Sequence, residues 1–228
     1  MSESSEPAES APRQVFPPAA QAKFRDQIRP AILSVLVLTL LCGVVFPLLL
    51  FAIGRPLFPH EATGSRLRRS GVVVGSALIA QEFTRPEYFQ PRPSSAGAGY
   101  DTTASGGTNL GPNNPKLLDG AKDFPGIRQL AEEYRTHNGL APDAPIPIDA
   151  VTRSGSSLDP DISPENAALQ VARVARARGV SEEAVRRLVA GHAKGPQFGI
   201  LGYPRVPVLE LNLALDTSLQ RATMTTAQ

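Results

Sequence analysis

The residues that could do chemistry are few and scattered. The three histidines, His60, His137 and His192, stand 77 and 55 positions apart and form no HExxH or related cluster. Cys42 is the single cysteine, which excludes an intramolecular disulfide and any cysteine-rich zinc site. No GxxxxGK[ST] phosphate loop and no GxSxG nucleophile elbow occurs. Gly97-Ala98-Gly99 lacks the third glycine of a dinucleotide fingerprint and reads as a turn. Asp159 and Asp161 could coordinate a hard cation, but they are too few for a calcium loop and equally suit capping of turns and of the helix that follows.

Three segments stand out from this background. The first runs from Gly75 to Gln81 (GSALIAQ), an apolar stretch ending in a glutamine. The second, Ser105-Gly106-Gly107-Thr108-Asn109-Leu110-Gly111-Pro112, could present backbone amides or carbonyls to an ion or partner, or form a tight packed turn. The third runs from Thr152 to Pro164 and carries the two aspartates. Arg173, Arg176, Arg178, Arg186 and Arg187 form a basic cluster that reads as a solvated face, able to meet anionic headgroups or an acidic partner.

The elements that must position these residues follow from pattern. Ala31 to Ile53 is 23 residues without a charge, bracketed by Arg29 and Arg55. As a helix it spans about 34 Å, enough to cross a hydrocarbon core of about 30 Å. It is apolar on every side, whereas a globular helix this long would carry a polar stripe. Pro47 removes one backbone bond and predicts a kink best placed beside partner helices. A cleaved signal peptide would have a shorter apolar core and a small-residue exit. Lys and Arg are almost balanced across the run, with the nearest charges slightly favouring a cytoplasmic N-terminus.

Residues 1–22 are rich in Ser, Glu, Pro and Ala and are expected to be a disordered extension. Residues 23–54 hold the transmembrane helix and its flanks, and 55–228 form a soluble domain. In that domain Val72–Val74 and Ala77–Ile79 read as strand or buried segments divided by Gly75 and Ser76. Residues 84–120 contain five prolines and predict a long loop without regular structure, anchored by Tyr88, Phe89 and Tyr100. Ile127, Leu130, Ala131 and Tyr134 give one face of a helix ending near Gly139. Ile146 and Ile148 alternate with prolines as in an edge strand. Ser163 as N-cap, Pro164 at N1 and Gly179 past the end delimit a helix with Ala167, Val171, Val174 and Ala175 on one face. Ser181 caps another, ended by Gly191. Leu209, Leu211, Leu213 and Leu215 alternate with Val208, Glu210, Asn212 and Ala214, which predicts a strand with one buried face. The fold class is α+β: a single N-terminal transmembrane helix, then a loop-rich α/β domain of short strands and peripheral helices.

In order, the apolar helix, GSALIAQEF, PEYFQPRPS, GYDTTASGGTNLGP, VTRSGSSLDPDISPENAALQVARVARARG and VPVLELNLALD resemble the C subunit of the bacterial Kdp-type potassium-transporting P-type ATPase. The likeness covers roughly residues 29–216. Ser157, Ala80 and Pro207 depart from the family pattern, where Gly, Gly and Asn are usual. The resemblance implies a non-catalytic subunit of the inner membrane, single-pass, with its C-terminal domain periplasmic. It implies two partners, a channel-like potassium-binding subunit and a P-type ATPase subunit, beside the lipid bilayer. It also implies a catalytic chaperone that raises the ATP affinity of the ATPase subunit, and Gln81 matches the glutamine tied to that role. A periplasmic domain does not meet cytoplasmic ATP, so any such effect would be conformational. No cofactor is expected to be bound tightly, with ATP reached through the partner ATPase. The expected partner contacts are Pro47, Tyr88, Phe89, Arg92, Ser105, Gly106, Gly107 and Asn109. A net charge of +2 argues against a nucleic-acid partner. The alternatives are a membrane-anchored periplasmic enzyme, which would gather acid–base groups around the histidines, and a cytoplasmic nucleotide-binding module.

Overall fold

The computed structural model describes residues 23–225; the extension expected over 1–22 lies outside the described residues. The chain divides into two compact units between Phe58 and Pro59. The first is one continuous helical rod, Phe24–Leu57, of 34 residues. It consists of α1 (Phe24–Leu40), a π-helical turn (Leu41–Val45) and α2 (Phe46–Leu57). None of its residues is buried. The π turn ends two residues before Pro47, the proline predicted to perturb the helix. Pro47 has no N–H to offer the carbonyl four residues back, and a wide turn just upstream is a recurrent way of absorbing such a defect.

The second unit builds its core on three helices. α5 (Pro164–Arg178), α6 (Glu182–His192) and α7 (Val208–Thr225) surround Ile162, Ala167, Val171, Val174, Val185, Val189, Val206, Leu211, Leu215 and the inserted Phe89. A large apolar side chain buried in this way contributes about 1.5–3 kcal/mol. Helix boundaries follow the local chemistry read from the sequence. Ser163 Oγ accepts from Asn166 N at 3.0 Å, Pro164 follows it, and Gly179 closes α5 in the left-handed region. Ser181 caps α6 in the same way, with Val180 and Val185 meeting in the core. α6 continues one residue past Gly191, to His192. α4 (Ile127–Asn138) ends at Gly139, also left-handed. Ahead of it, α3 (Pro115–Asp119) is a short helix inside the segment expected to lack regular structure.

Strands are sparse. β1 (Arg66–Arg69) and β2 (Val72–Ser76) form a hairpin, with Ser70 and Gly71 both at positive φ in its two-residue turn. Ala77–Ile79 leave the strand as a turn. β3 (Asp161–Ile162) pairs antiparallel with β4 (Val206–Pro207).

Two predicted strands are helical. Ile148–Ala150 is a 3₁₀ turn, whose Asp149 caps the start of α5 instead of joining a sheet. Val208 onward is α7. The alternating leucines mislead because they coincide with a helical face. The residues that are nearly solvent-free are Val208, Leu211, Asn212 and Leu215, spaced i, i+3, i+4, i+7. Val208 and Asn212, assigned outward in a strand, point inward in the helix.

Candidate functional site

The site grows from the segment Pro86–Pro93, which threads between α5 and α7. A residue before proline is biased toward extended backbone, and Gln90 and Arg92 both precede one. Extended backbone needs hydrogen-bond partners that a sheet would normally supply. Here two helix side chains supply them. Asn212 Oδ1 accepts from Phe89 N at 2.9 Å, and Asn212 Nδ2 donates to Phe89 O at 2.9 Å. Gln170 Oε1 accepts from Gln90 N at 2.8 Å, and Gln170 Nε2 donates to Gln90 O at 3.1 Å. Each amide grips both backbone groups of one residue.

Asn166, Gln170 and Arg173 lie at i, i+4, i+7 on α5 and form a buried polar spine. Gln170 Nε2 also donates to Asn166 Oδ1 at 2.9 Å, and Tyr134 OH donates to the same oxygen at 2.8 Å. Asp149 accepts from Ser163 N, Ser163 Oγ and Asn166 Nδ2 at the positive end of α5. Burial, with the Asp149 charge, holds the Tyr134 phenol well above its ordinary range. Arg173 is 6% exposed. It donates to Asn138 Oδ1, Pro86 O, Tyr88 O and Gln170 Oε1 at 2.6–2.9 Å. Burial pulls this guanidinium down to about 10.

Beyond the clamp lies a cleft of about 300 Å³ lined by Arg69, Gln81, Phe83, Arg85, Tyr88 and Asp216. Asp216 is its hub. Arg69 donates to Oδ2 at 2.5 Å, Tyr88 OH donates to Oδ2 at 3.1 Å, and Arg178 donates to Oδ1 at 3.0 Å. Burial alone would push this carboxyl up; the hydrogen bonds from Arg178, Tyr88 and Arg69 outweigh it and hold it below the ordinary range. The Tyr88 ring takes the Arg85 and Arg178 guanidinium groups at 4.9 and 4.8 Å, and Phe83 at 5.4 Å between centroids.

Gln81 stands on one wall, half-buried, its Nε2 donating to Val74 O at 3.0 Å. Gly75 makes that seat possible. A Cβ there would lie 2.4 Å from Gln81 Nε2 and 2.7 Å from Leu209.

The other expected partner residues separate into three places. Tyr88 is in the cleft. Phe89 is fully buried, so its side chain belongs to the core and faces no partner surface. Arg92 donates to Asp159 at 2.9 Å and reaches Thr152 O. Ser105, Gly106 and Gly107 pack on the loop that carries Ser154–Ser157. Gly106 N and Ser105 Oγ both donate to Ser156 O, and a Cβ on Gly107 would lie 3.0 Å from Gly155 O. The second and third unusual segments are thus one packed pair of loops. Asn109 is exposed, at a φ of 52°. Pro47 lies in the apolar helix.

Asp159 also accepts from Asp161 N, and Asp161 pairs with Arg205 at 3.0 Å, so both aspartates serve turns and ion pairs. Among the described residues no group of three or more His, Cys, Asp or Glu could hold a metal. His60 precedes a 3₁₀ turn, His137 lies on α4, and His192 ends α6 against Leu188 O. Burial and the Arg173 charge lower His137, only partly opposed by Glu133.

Sequence reading missed Asn166, Gln170, Asn212, Asp216 and the inward role of Arg173 and Arg178. The helical spacing of the first two with Arg173 was the available signal. Of the five arginines assigned to a solvated face, Arg176, Arg186 and Arg187 are exposed, while Arg173 and Arg178 turn inward.

Residues 28–217 match the family described as KdpC: K+-transporting ATPase, c chain. A potassium-transporting ATPase KdpC subunit of Mycobacterium bovis is 48% identical over 192 residues, covering 84% of this chain and 98% of that one. The corresponding subunit of Rhodopseudomonas palustris is 46% identical over 207 residues, 86% of this chain and 98% of its own. That of Geobacter metallireducens is 48% identical over 193 residues, 84% and 97%. The shared segment takes in the apolar helix, the clamp and the Asp216 hub, and the chain belongs to the KdpC family, the c chains of the K+-transporting ATPase.

Proposed function

We propose that the chain is the non-catalytic accessory subunit of an ATP-driven potassium-import complex of the inner membrane. The observation that carries this is the family match on a chain whose 34-residue helix holds a 23-residue uncharged run and has no buried residue. Such a helix needs lipid or partner helices to cover it. The partners in this reading are a channel-like potassium-binding subunit and a P-type ATPase subunit. The helix crosses once, with the N-terminus cytoplasmic and residues 55–228 periplasmic. The subunit stabilises assembly, and it raises the ATP affinity of the ATPase subunit through conformation. What supports the conformational route is Gln81, whose amide is engaged with Val74 O and packed beneath Gly75 and Leu209. Its side chain is placed to report on how β2 and α7 sit together. Tyr88, Arg92, Ser105–Gly107 and Asn109 remain the proposed partner-facing residues outside the helix.

The test is co-purification. A tagged chain extracted in mild detergent should bring down two larger membrane proteins with potassium-stimulated ATPase activity. Recovery of the chain alone would defeat the proposal. Topology is tested by Ser218→Cys on a Cys42→Ser background. A membrane-impermeant maleimide should label it in intact spheroplasts, and labelling only after lysis would reverse the orientation.

A further inference from the structure

The segment Lys194–Arg205 closes into a narrow hairpin outside the core. Lys194 N donates to Arg205 O at 2.8 Å and Arg205 N donates to Lys194 O at 2.9 Å. Nearer the tip, Gln197 N donates to Leu201 O at 2.8 Å and Leu201 N donates to Gln197 O at 2.9 Å. This frame holds up Phe198, Ile200, Leu201 and Tyr203, which are 83%, 82%, 57% and 88% exposed. Among the described residues of the second unit, no other stretch presents so many large apolar side chains so close together. Phe198 also sits at a φ of 55°, a conformation that favours glycine. Neither the backbone nor the packing of the domain gives a reason for an aromatic ring there.

The chemistry of the segment selects an occupant. Between Lys194 and Arg205 there is no acidic residue. The two cations flank the apolar tip. They pair with Glu210 at 2.9 Å and Asp161 at 3.0 Å, yet stay 46% and 42% exposed, so their charge still reaches solvent. Aromatic and aliphatic side chains flanked by cations suit the boundary between headgroups and acyl chains. A protein partner fits less well. A specific protein interface takes about 20–30 residues a side, far more than a tip of four apolar side chains supplies. In sequence the unit begins at Pro59, directly after the apolar helix, which tethers it to a bilayer surface.

We propose that the 194–205 hairpin inserts Phe198, Ile200, Leu201 and Tyr203 into the headgroup–acyl boundary of the bilayer, with Lys194 and Arg205 at the lipid phosphates. The proposal rests on the membrane-spanning reading of Phe24–Leu57.

The chain has no tryptophan, so one can be introduced as the only indole. Full-length Phe198→Trp, Leu49→Trp and Glu132→Trp are each reconstituted in nanodiscs of phosphatidylcholine and phosphatidylglycerol, with and without acyl-chain bromination. Leu49→Trp reports the helix in the bilayer, and Glu132→Trp, on exposed α4, reports solvent. The expected result is that Phe198→Trp emits to the blue of Glu132→Trp and loses most of its intensity to shallow bromines. Adding Ile200→Ser and Leu201→Ser should return its emission to the solvent value. If Leu49→Trp is quenched while Phe198→Trp stays bright and solvent-like, the hairpin proposal is overturned and the spanning reading stands. If Phe198→Trp becomes shielded only with the partner subunits present, and bromine does not quench it, the tip docks on protein and the proposal is also overturned. If Leu49→Trp escapes quenching, the spanning reading and the hairpin proposal fall together.

Discussion

Asn212 holds Phe89 by both backbone groups, 2.9 Å from its nitrogen and 2.9 Å from its oxygen, across 123 positions of sequence. Gln170 does the same for Gln90 from the neighbouring helix. In extended backbone, successive residues direct their polar groups to opposite sides. The segment is therefore gripped alternately by α7 and α5, as a strand would be by its two neighbours. A domain whose described residues form four short strands gains from side chains part of the order that sheets usually provide.

Asn212→Ala should destabilise the chain by about 2–4 kcal/mol, because two buried backbone groups lose their partners. Denaturant unfolding in detergent, followed by tyrosine fluorescence, measures it. Hydrogen exchange at the Phe89 amide should accelerate far more than at Gln90, which Gln170 still holds. Equal acceleration at both would contradict the separate-grip account.

Arg173→Met should cost about 2–4 kcal/mol for the same reason, since carbonyls of Pro86 and Tyr88 are left without a donor. Arg173→Lys should recover little of it. A single ammonium cannot reach oxygens on α4, α5 and the Pro86–Tyr88 segment together, whereas a planar fork can. Full recovery with lysine would mean that charge alone matters at this position.

Gly75→Ala should cost about 1–3 kcal/mol through overpacking. Its Cβ meets Gln81 Nε2 at 2.4 Å and Leu209 at 2.7 Å. The penalty should shrink, without vanishing, on a Gln81→Ala background, because the Leu209 contact remains. A thermal-unfolding double-mutant cycle reads that coupling. Strict additivity would place Gln81 elsewhere than beneath Gly75.

Asp216 makes stability pH-dependent in a defined direction. Its folded value lies below the ordinary one, so its contribution is fully present above the unfolded value of about 3.9 and is lost as pH falls through the folded value. Asp216→Asn should therefore unfold more readily than the native chain at neutral pH, and the gap should close on acidification below about pH 4. Parallel unfolding midpoints of the two chains down to acid pH would refute the hub assignment.

Much of this architecture was legible where local chemistry is decisive. Ser163-Pro164, Ser181-Glu182, Gly139 and Gly179 fix helix ends through groups only a few residues away, and α4, α5 and α6 follow from them. α7 was not legible in the same way. Leu209, Leu211, Leu213 and Leu215 satisfy a two-residue period, and Val208, Leu211, Asn212 and Leu215 satisfy the helical one. Choosing between them required knowing that Asn212 is an inward residue, which depends on Phe89. The candidate site shares that difficulty. Asp216 meets Tyr88, Arg69 and Arg178 over 128, 147 and 38 positions, and no spacing rule connects residues so distant. Gln81 drew notice through its place at the end of an apolar run, but the glycine that seats it is explained only by the fold.

The π turn at Leu41–Val45 has a consequence for how the apolar rod can be read by its surroundings. A π turn holds one residue more than an α turn, and one residue corresponds to about 100° of rotation. Stripes of side chains that run along α1 are therefore out of phase with those of α2. The two halves of the rod look in different directions, as two short recognition surfaces on a common axis. A single straight neighbour can follow only one of them, which suits a helix wedged between two proteins better than one zipped along a single companion.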